Sequence, residues 1–443
     1  MEKLADIGLV GLGVMGQSLA LNLAGKGFSV AIYNRRTAVM EEFTQGRAKG
    51  KNIIGAKTWP DLVGSLKAPR RILLMVKAGD PVDDVIQELV PLLSPGDFIM
   101  DGGNSRFQDT RRRDEFLAKK GLLYLGVGIS GGEEGGLKGA SMMPGGDEKA
   151  WEVSKEPLLA AAAKAEDGKP CCSYLGPDGV GHFVKTVHNG IEYGDMQLIS
   201  EAYFLMSTLL GMDAKAIGNV FATWNTGELE SYLVEITADI LSRDDDETGR
   251  PLVDMIVDEA EQKGTGKWTA QEAMELGVPA PTIAEAVFAR ALSGLKEERG
   301  RAAGILQGPS FEFRGDRGQF IDDIKNALYL SKICSYAQGF AILREASLEY
   351  GWNLDLANVA LIWRAGCIIR AGFLSEIAKA FQDNPQLDNL LINPYFARRL
   401  CEGQESWRKV VMEAAKAGLP VPGFGSALFY YDGYRRERVP ANL

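Results

Sequence analysis

Histidine and cysteine are scarce in this chain. It contains two histidines and five cysteines among 443 residues, and no Cys/His cluster has the spacing of a metal site. A zinc centre is therefore not expected, because such centres draw their ligands from several of these residues. The cysteines are scattered, apart from the adjacent Cys171 and Cys172, and do not form a disulfide framework. Unpaired cysteines are typical of a reducing compartment, so we expect a cytoplasmic protein.

Excess positive charge and long apolar runs are also lacking. The 49 Lys and Arg residues are outnumbered by 59 Asp and Glu residues, which gives a net charge of −10. This balance argues against nucleic acid or a membrane surface as partner, but not against a small anionic ligand. No apolar run reaches the roughly 18 residues that a transmembrane helix needs. A first strand is expected from Asp6 with no basic and apolar leader before it, so we expect no signal peptide.

The distribution of apolar residues predicts two domains. Over residues 1–178 a βαβ rhythm predicts an α/β Rossmann-like domain with a mainly parallel sheet. Its predicted strands are Asp6–Val10, Ser29–Tyr33, Arg71–Val76, Asp97–Asp101 and Leu122–Val127, with shorter candidates at Ser141–Met143 and Ser173–Leu175. Over residues 179–443 helical periodicity predicts a large all-α domain. Its predicted helical segments are Gly181–Leu210, Gly227–Leu241, Ala280–Arg299, Phe320–Tyr350 and Trp407–Ala417.

A glycine-rich turn after the first predicted strand carries a dinucleotide signature. Residues Gly11–Gly16 read G-x-G-x-x-G and open a helix, which is the context in which this pattern binds a pyrophosphate. Gly11 permits the tight turn, Gly13 lets the backbone approach the phosphates, and Gly16 lets helix and strand pack closely. The free N–H groups at the start of the helix then receive the phosphates.

The end of the second predicted strand favours NADP over NAD. An NAD site usually places Asp or Glu about 20 residues after the glycine turn, where it binds the ribose 2′-hydroxyl. This chain has Asn34, Arg35 and Arg36 there, and no acidic residue before Glu41. Guanidinium groups suit a 2′-phosphate. The alternative for these charges is a solvated turn.

Three further segments suggest anion binding. Asp101–Ser105 and Leu125–Gly136 follow predicted strands, where an open α/β sheet presents its ligand crevice, and their glycines let backbone amides face an anion. A flexible surface loop is the alternative. Gln262–Trp268 is too short for a Walker A loop, but its two lysines and its threonine can cradle a phosphate. Arg290 is a lone arginine in an apolar helix, where a structural ion pair is an equal alternative.

The most informative stretch is Gly181–Asp195, which holds both histidines. On an α-helix, Lys185, His188, Asn189 and Glu192 fall within an arc of about 100° and project in one direction. A base, an acid and two hydrogen-bonding groups on one side favour catalysis, and a solvated helix face is the alternative. Asn and Gly are poor helix formers, so their presence here asks for a reason other than helix stability.

Together these motifs resemble the 6-phosphogluconate dehydrogenase family, in the β-hydroxyacid dehydrogenase superfamily, along essentially the whole chain. The resemblance is carried by Gly11–Gly16, Val76–Gly79, Asp101–Ser105, Ser130–Glu133, His182–Asp195, Gln262–Trp268 and Tyr431–Arg435. It implies a Rossmann-like domain followed by a large helical domain. It also implies NADP-dependent oxidative decarboxylation of 6-phospho-D-gluconate to D-ribulose 5-phosphate, in the pentose phosphate pathway, by a homodimer that needs no metal.

The resemblance further implies a role for each matching residue. Lys185 corresponds to the general base and Glu192 to the acid. The implied substrate-binding residues are Asn104, Ser130, Gly131, Gly132, His188, Asn189, Tyr193, Lys263, Thr265 and Arg290. The implied cofactor-binding residues are Gly11, Leu12, Gly13, Val14, Met15, Gly16, Asn34, Arg35, Val76, Lys77, Ala78 and Asn104. Arg36 departs from the family's usual Asn-Arg-Thr turn, and we expect it to support 2′-phosphate binding.

A second departure lies at the end of the sequence. Family members continue past the match at residues 440–443 with a tail that enters the partner subunit and brings an Arg and a His to the substrate phosphate. This sequence ends at Leu443 and has no histidine after His188. Loss of such a contact is expected to cost about 1.5–3 kcal/mol in substrate binding. The alternative that this departure suggests is an NADP-binding protein impaired in catalysis. A separate alternative is another NADP-dependent β-hydroxyacid dehydrogenase acting on a smaller substrate, since such proteins share the glycine turn and a catalytic lysine.

Overall fold

The computed structural model describes residues 4–262 and 264–443, which form two compact units. Unit 1 comprises Met1–Thr186 and Tyr350–Ile368, and unit 2 comprises Val187–Glu349 and Ile369–Leu443. The chain thus leaves the first unit within one helix and returns to it for a short segment before it ends in the second.

Unit 1 is built on a sheet with strands β1 (Ile7–Val10), β2 (Val30–Tyr33), β3 (Ile53–Ala56), β4 (Arg71–Leu74), β5 (Phe98–Asp101), β6 (Leu123–Ser130) and β7 (Ser141–Gly146). Their order is β3-β2-β1-β4-β5-β6-β7. All neighbouring pairs are parallel except β6–β7, which is antiparallel. The strand order reverses between β1 and β4, and a sheet of this kind presents its ligand crevice at that switch point.

The helices are α1 (Val14–Gly25), α2 (Thr37–Gln45), α3 (Trp59–Gly64), α4 (Asp80–Leu89), α5 (Phe107–Ala118), α6 (Gly132–Lys138), α7 (Glu148–Ala161), α8 (Val180–Leu210), α9 (Ala214–Trp224), α10 (Tyr232–Ser242), α11 (Thr265–Glu275), α12 (Pro281–Ser293), α13 (Lys296–Ala303), α14 (Arg317–Glu349), α15 (Leu356–Ile362), α16 (Leu374–Asp383), α17 (Pro394–Lys416) and α18 (Pro422–Tyr434). Helices α1–α7 and α15 belong to unit 1, and α9–α14 and α16–α18 to unit 2. Among the described residues, no helix combines the length and the apolar character that a bilayer crossing requires.

Both faces of the sheet are covered by apolar side chains. Leu9 of β1 and Leu73 of β4 pack into one buried cluster, whereas Val10 and Leu74, their neighbours in sequence, pack into another. Side chains alternate between the two faces of a strand, so two clusters mean that helices shield both faces. The sequences of these short strands are therefore nearly continuous runs of apolar residues.

Unit 2 is organised around its two longest helices, α8 and α14. The start of α18 is fixed to α8 because the Glu201 carboxylate accepts hydrogen bonds from the backbone N–H groups of Gly423, at 2.7 Å, and Phe424, at 2.9 Å. These donors belong to the first turn of α18, where a side-chain acceptor satisfies N–H groups that have no partner within the helix. The carboxylate thus acts as a helix cap from a distant segment.

The predicted fold class is confirmed, with differences in individual elements. The edge strand β3 was not predicted, because its sequence Ile-Ile-Gly-Ala is short and largely exposed. Ser173–Leu175 forms no strand, and only Cys172 makes an isolated bridge to Met142. The single helix predicted over Ala280–Arg299 is two helices, since α12 ends at Ser293. Helices α9, α11, α15, α16 and α18 were not predicted either.

Candidate active site

The glycine turn joins β1 to α1, and its glycines meet different steric demands. Gly11 has φ 100°, and a Cβ there would lie 2.5 Å from the Met75 carbonyl oxygen. A Cβ on Gly16 would collide with the Gly11 carbonyl oxygen, whereas one on the exposed Gly13 would meet nothing within 4 Å. Gly13 is the N-cap of α1 and provides no side-chain cap. The first N–H groups of α1 therefore have no side-chain cap, and such a helix start suits a phosphate.

Asn34 ties this turn to the end of β2. Its side-chain oxygen accepts a hydrogen bond from the Leu12 N–H at 3.0 Å, and its amide donates to the Arg36 carbonyl oxygen at 3.1 Å. The side chains of Arg35 and Arg36 are exposed. Two solvent-facing guanidinium groups beside the turn can bind a phosphate without breaking an internal ion pair.

The segment after β4 approaches the same turn. Val76 lies close enough that its side chain would be 3.0 Å from a Cβ on Gly11. Lys77 is exposed and Ala78 partly buried, and the segment ends at Gly79, the N-cap of α4. The predicted cofactor residues of both segments therefore lie at the carboxyl ends of β1, β2 and β4, as do Val14 and Met15 at the first turn of α1.

Asn104 joins the end of β5 to β6. It has φ 53°, donates to the Ile129 carbonyl oxygen at 3.2 Å and accepts from the Ile129 N–H at 3.0 Å. Beneath it, the buried Asp101 carboxylate accepts hydrogen bonds from Ser105 at 2.6 Å and Tyr124 at 2.9 Å. The Asp101–Ser105 loop is thus held rigidly, and the alternative of a flexible surface loop does not hold for it.

Arg113 is a residue of this region that the sequence analysis missed. Its guanidinium is buried, contacts the carboxylates of Asp83 and Asp101, and donates to the Gly79 carbonyl oxygen at 3.0 Å. The pKa of Asp83 is lowered to about 2, chiefly by its hydrogen bond to Arg113. Arg113 therefore links the loop after β4 to the loop after β5. In the sequence it is the last of three consecutive arginines, and this pattern indicates a solvated helix face.

Ser130 ends β6, and the two glycines after it turn the chain into α6. Gly131 has φ 123° and Gly132 φ 61°, values that favour glycine. A Cβ on Gly131 would lie 2.6 Å from the Gly366 carbonyl oxygen. The Ile368 N–H donates to the Ser130 hydroxyl oxygen at 3.5 Å, so this turn packs against the segment that returns to unit 1.

Glycines also let the start of α8 lie directly on β6. A Cβ on Gly126 would lie 2.9 Å from the His182 ring, and one on Gly128 would collide with the Lys185 side chain. A Cβ on Gly181 would lie 2.6 Å from the Gly126 carbonyl oxygen. Lys185, only 4% exposed, is therefore fixed against the strand that ends at Ser130.

His182 is a structural histidine. Its Nδ1 lies 2.6 Å from the Thr110 hydroxyl, and its Nε2 lies 2.9 Å from the Asp101 carbonyl oxygen. Burial lowers the pKa of His182, so the ring is neutral. Because a carbonyl can only accept, Nε2–H donates to Asp101 and Nδ1 accepts from Thr110. This residue orients the first turn of α8.

In unit 2, the next turns of α8 meet the first turn of α11. His188 is buried, and its Nδ1 lies 2.9 Å from the Asn189 side-chain oxygen and 3.7 Å from the Glu192 carboxylate. The Asn189 amide donates to the Thr265 hydroxyl oxygen at 3.0 Å. The Glu192 side chain is 19% exposed. The three predicted residues of this stretch thus contact one another and reach Thr265 on a second helix.

Tyr193 and Arg290 form the other part of this cluster. The Arg290 guanidinium carbon lies 4.1 Å from the centre of the Tyr193 ring, and its Nη1 donates to the Glu261 carbonyl oxygen at 2.7 Å. A Cβ on Gly266 would collide with the Tyr193 ring, so glycine is required for α11 to approach α8. The Arg290 Nη2 also lies 3.6 Å from the Met196 sulfur, so among the described residues the partners of the Arg290 side chain are a π face, a carbonyl oxygen and a thioether. Lys263 lies outside the described residues.

Within the described part of the chain, no group of three or more His, Cys, Asp or Glu side chains is arranged to hold a metal ion. The predicted site residues on α8 supply amine, carboxyl, imidazole and amide groups. Such groups move protons and bind hydroxyl groups.

Comparisons with known proteins agree along the whole chain. The family described as "NAD binding domain of 6-phosphogluconate dehydrogenase" matches residues 6–176, and "6-phosphogluconate dehydrogenase, C-terminal domain" matches residues 181–443. The decarboxylating 6-phosphogluconate dehydrogenase of Schizosaccharomyces pombe is 54% identical over 442 residues, which are 100% of this chain and 90% of that protein. The NADP(+)-dependent enzyme of Bacillus subtilis is 54% identical over 439 residues, 99% of this chain and 93% of the relative.

The solved structures include a close match in fold. Plasmodium falciparum 6-phosphogluconate dehydrogenase, described in its apo form and in complexes with NADP+ and with 6-phosphogluconate, superposes with a TM-score of 0.94. Its sequence is 43% identical, and the match covers 99% of this chain and 94% of that one. A 3-hydroxyisobutyrate dehydrogenase from Salmonella typhimurium has a TM-score of 0.50 at 19% identity and covers 67% of this chain, which indicates a shared fold alone.

Proposed function

The chain belongs to the 6-phosphogluconate dehydrogenase family, and we propose that it converts 6-phospho-D-gluconate and NADP to D-ribulose 5-phosphate, CO₂ and NADPH through Lys185 and Glu192. The observation that carries these roles is α8, a single helix over residues 180–210 with an amine and a carboxyl on nearby turns. His188 and Asn189 lie on the turn between them. An acid and a base on nearby turns of one helix suit proton transfer to and from one substrate.

The cofactor residues fit NADP. The open backbone at Gly13 and the uncapped start of α1 suit the pyrophosphate, and the exposed Arg35 and Arg36 suit the 2′-phosphate. Asn34 holds the glycine turn in the conformation that presents these groups. When bound, NADP accepts the hydride that leaves C3 of the substrate.

Lys185 acts first, as a base that takes the proton of the 3-hydroxyl group. Its burial supports this role, because desolvation disfavours the ammonium form. The 3-keto acid formed by oxidation then loses CO₂, while the Lys185 ammonium donates its proton to the carbonyl oxygen and an enediol results. Glu192 donates a proton to C1 of the enediol while the neutral Lys185 amine takes the proton of the enediol hydroxyl group, which completes the ketose. At the end of the cycle Lys185 holds one extra proton and Glu192 lacks one. Proton exchange with solvent restores both groups.

The remaining proposed substrate-binding residues fall into groups according to their position in the structure. Ser130, Gly131 and Gly132 lie at the carboxyl end of β6 and would bind the carboxylate end of the substrate, whereas Asn104, after β5, would bind a hydroxyl group. His188 and Asn189 would bind its hydroxyl groups. Tyr193, Thr265 and Arg290 cluster in unit 2 and would bind the phosphate, together with Lys263.

A homodimer is the second part of the proposal. An apolar groove of about 1510 Å³ crosses unit 2 between α8, α12 and α18. It is lined by Phe204, Phe288, Leu292 and Phe429, whose exposed fractions range from 37% to 66%. Exposed apolar patches of this kind mark protein interfaces, and a second copy of the chain is the occupant we propose. Sedimentation equilibrium tests this: the wild type should be dimeric and Phe288→Asp monomeric, whereas a monomeric wild type would contradict the proposal.

The cytoplasmic location stays a prediction, supported by five cysteines that are all unpaired. The reaction is tested on purified protein by measuring NADPH and CO₂ with 6-phosphogluconate and with 3-hydroxyisobutyrate. We expect equal amounts of NADPH and CO₂ from the first substrate and none from the second. Turnover of the second alone would favour the smaller-substrate alternative, and binding of NADP without turnover of either would favour an impaired enzyme.

A further inference from the structure

A fully buried ion pair joins α8 to α14 beside the proposed acid. The Lys332 ammonium lies 2.5 and 2.6 Å from the two carboxylate oxygens of Asp195, and their side chains are 0% and 1% exposed. The neighbouring α14 residues Ser331 and Ile333 are also buried. The sequence signal for this pair was that Lys332 is the one charged residue of α14 between Lys325 and Arg344.

Stability alone does not account for this pair. The free energy needed to move two charges out of water offsets much of the free energy gained from their attraction. Proteins in which apolar residues of similar volume replace a buried ion pair are often as stable as the original or more stable. The best-attested use of a buried polar pair is to fix the register of two packed helices. Elsewhere along α8 and α14, glycines let the two helices approach closely. A Cβ on Gly194 would collide with the Ser335 hydroxyl, and one on Gly339 would collide with Ile191.

Asp195 lies on the same side of α8 as two proposed active-site residues, so the register of α8 against α14 affects where those residues point. Asp195 follows Glu192 by three residues and His188 by seven, so the three side chains lie along one side of the helix. Side-chain ends lie about 5–6 Å from a helix axis, so a rotation of about 10° moves them by about 1 Å. A displacement of about 1 Å can cost on the order of a hundredfold in rate.

We propose that Asp195 and Lys332 are positioning residues that fix the rotation of α8 and thereby aim Glu192 and His188 at the substrate. The inference rests on the proposed function, because it assigns the pair to the step in which Glu192 protonates C1. Neither residue needs to contact the substrate. Loss of the pair should therefore lower turnover more than it changes substrate or cofactor binding.

The decisive variant replaces both charges by apolar side chains of similar size, Asp195→Leu/Lys332→Met. Single variants would leave one unpaired buried charge, so they can fail to fold for reasons unrelated to positioning. The matched control is Asp323→Leu/Lys409→Met, which removes an ion pair between α14 and α17. We measure the melting temperature, kcat and KM, and the exchange of the C1 hydrogen of ribulose 5-phosphate in D₂O by NMR, since that exchange reverses the Glu192 step.

We expect the first double variant to fold with nearly wild-type stability and KM, and to lose at least about tenfold in kcat and in C1 exchange. The control should keep both rates. Rates within about twofold of wild type would overturn the proposal, and so would unfolding of the apolar double variant, because the pair would then serve stability. A wild type without turnover would refute the proposed function instead. A crystal structure of the variant tests the positioning independently, since it should show α8 rotated at Glu192.

Discussion

The side-chain amide of Asn189 donates a hydrogen bond to the Thr265 hydroxyl oxygen over 3.0 Å. This contact connects the central turns of α8 to the first residue of α11, and Gly190 and Gly266 remove the side chains that would keep the two helices apart. It brings a residue proposed to bind substrate hydroxyl groups next to one proposed to bind the phosphate. The substrate would therefore be held from both helices at once.

Thr265→Val should weaken substrate binding. The substitution keeps the shape of the side chain but removes the hydroxyl that would face both Asn189 and the phosphate. A hydrogen bond to a charged group contributes about 1.5–3 kcal/mol, so KM for 6-phosphogluconate should rise about tenfold to a hundredfold. Initial rates give this value. Thr223→Val on the exposed face of α9 is the control, and an unchanged KM for the Thr265 variant would remove that hydroxyl from the phosphate site.

The exposed arginines after β2 should determine the choice of cofactor. In Arg35→Ser/Arg36→Ser, the contacts to the 2′-phosphate are lost, and KM for NADP should rise by at least about tenfold. KM for NAD, which lacks that phosphate, should change little. Both are measured from initial rates, with Arg398→Ser as a control for general charge. An equal rise for both cofactors would show that these arginines do not recognise the 2′-phosphate.

The raised pKa of Asp114 predicts that the stability of the folded protein depends on pH. Burial, followed by the charges of Asp147 and Asp178, raises its pKa from 3.8 to about 6. Since folding raises the pKa of an acid, ionisation of Asp114 disfavours the folded state: full stability is present below about pH 4 and is lost as pH rises towards 6. Asp114→Asn should therefore be more stable than the wild type at pH 7.5, on the order of 1 kcal/mol because the group is partly exposed.

Thermal melts of the Asp114→Asn variant and the wild type between pH 4 and 7.5 measure this difference. The two melting temperatures should converge at the acidic end, where the wild-type carboxyl is protonated. Asp109→Asn, which changes another aspartate on the same helix α5, is the matched control. A gap that stayed constant across this range would contradict the assignment to Asp114.

Local patterns were predictable from the sequence, and long-range contacts were not. The glycine turn at residues 11–16 and the helix over 180–210 follow from spacing within one element, and both are present. Arg113 and Arg112 look alike in sequence, yet the Arg113 side chain is 1% exposed and that of Arg112 is 57% exposed. Only the packing of α5 against Asp83 and Asp101 distinguishes them. The role of Asp195 was hidden for the same reason, because its partner lies 137 residues away.

Lys185 is the proposed base of the oxidation step, and the later proton transfers depend on it. The most direct test is the turnover of Lys185→Met with saturating 6-phosphogluconate and NADP, together with NADPH binding followed by fluorescence. We expect the variant to bind NADPH as the wild type does and to lose about 10²–10⁴-fold in kcat, because methionine keeps the apolar stem but cannot accept a proton. Near-normal turnover by this variant would contradict the central claim.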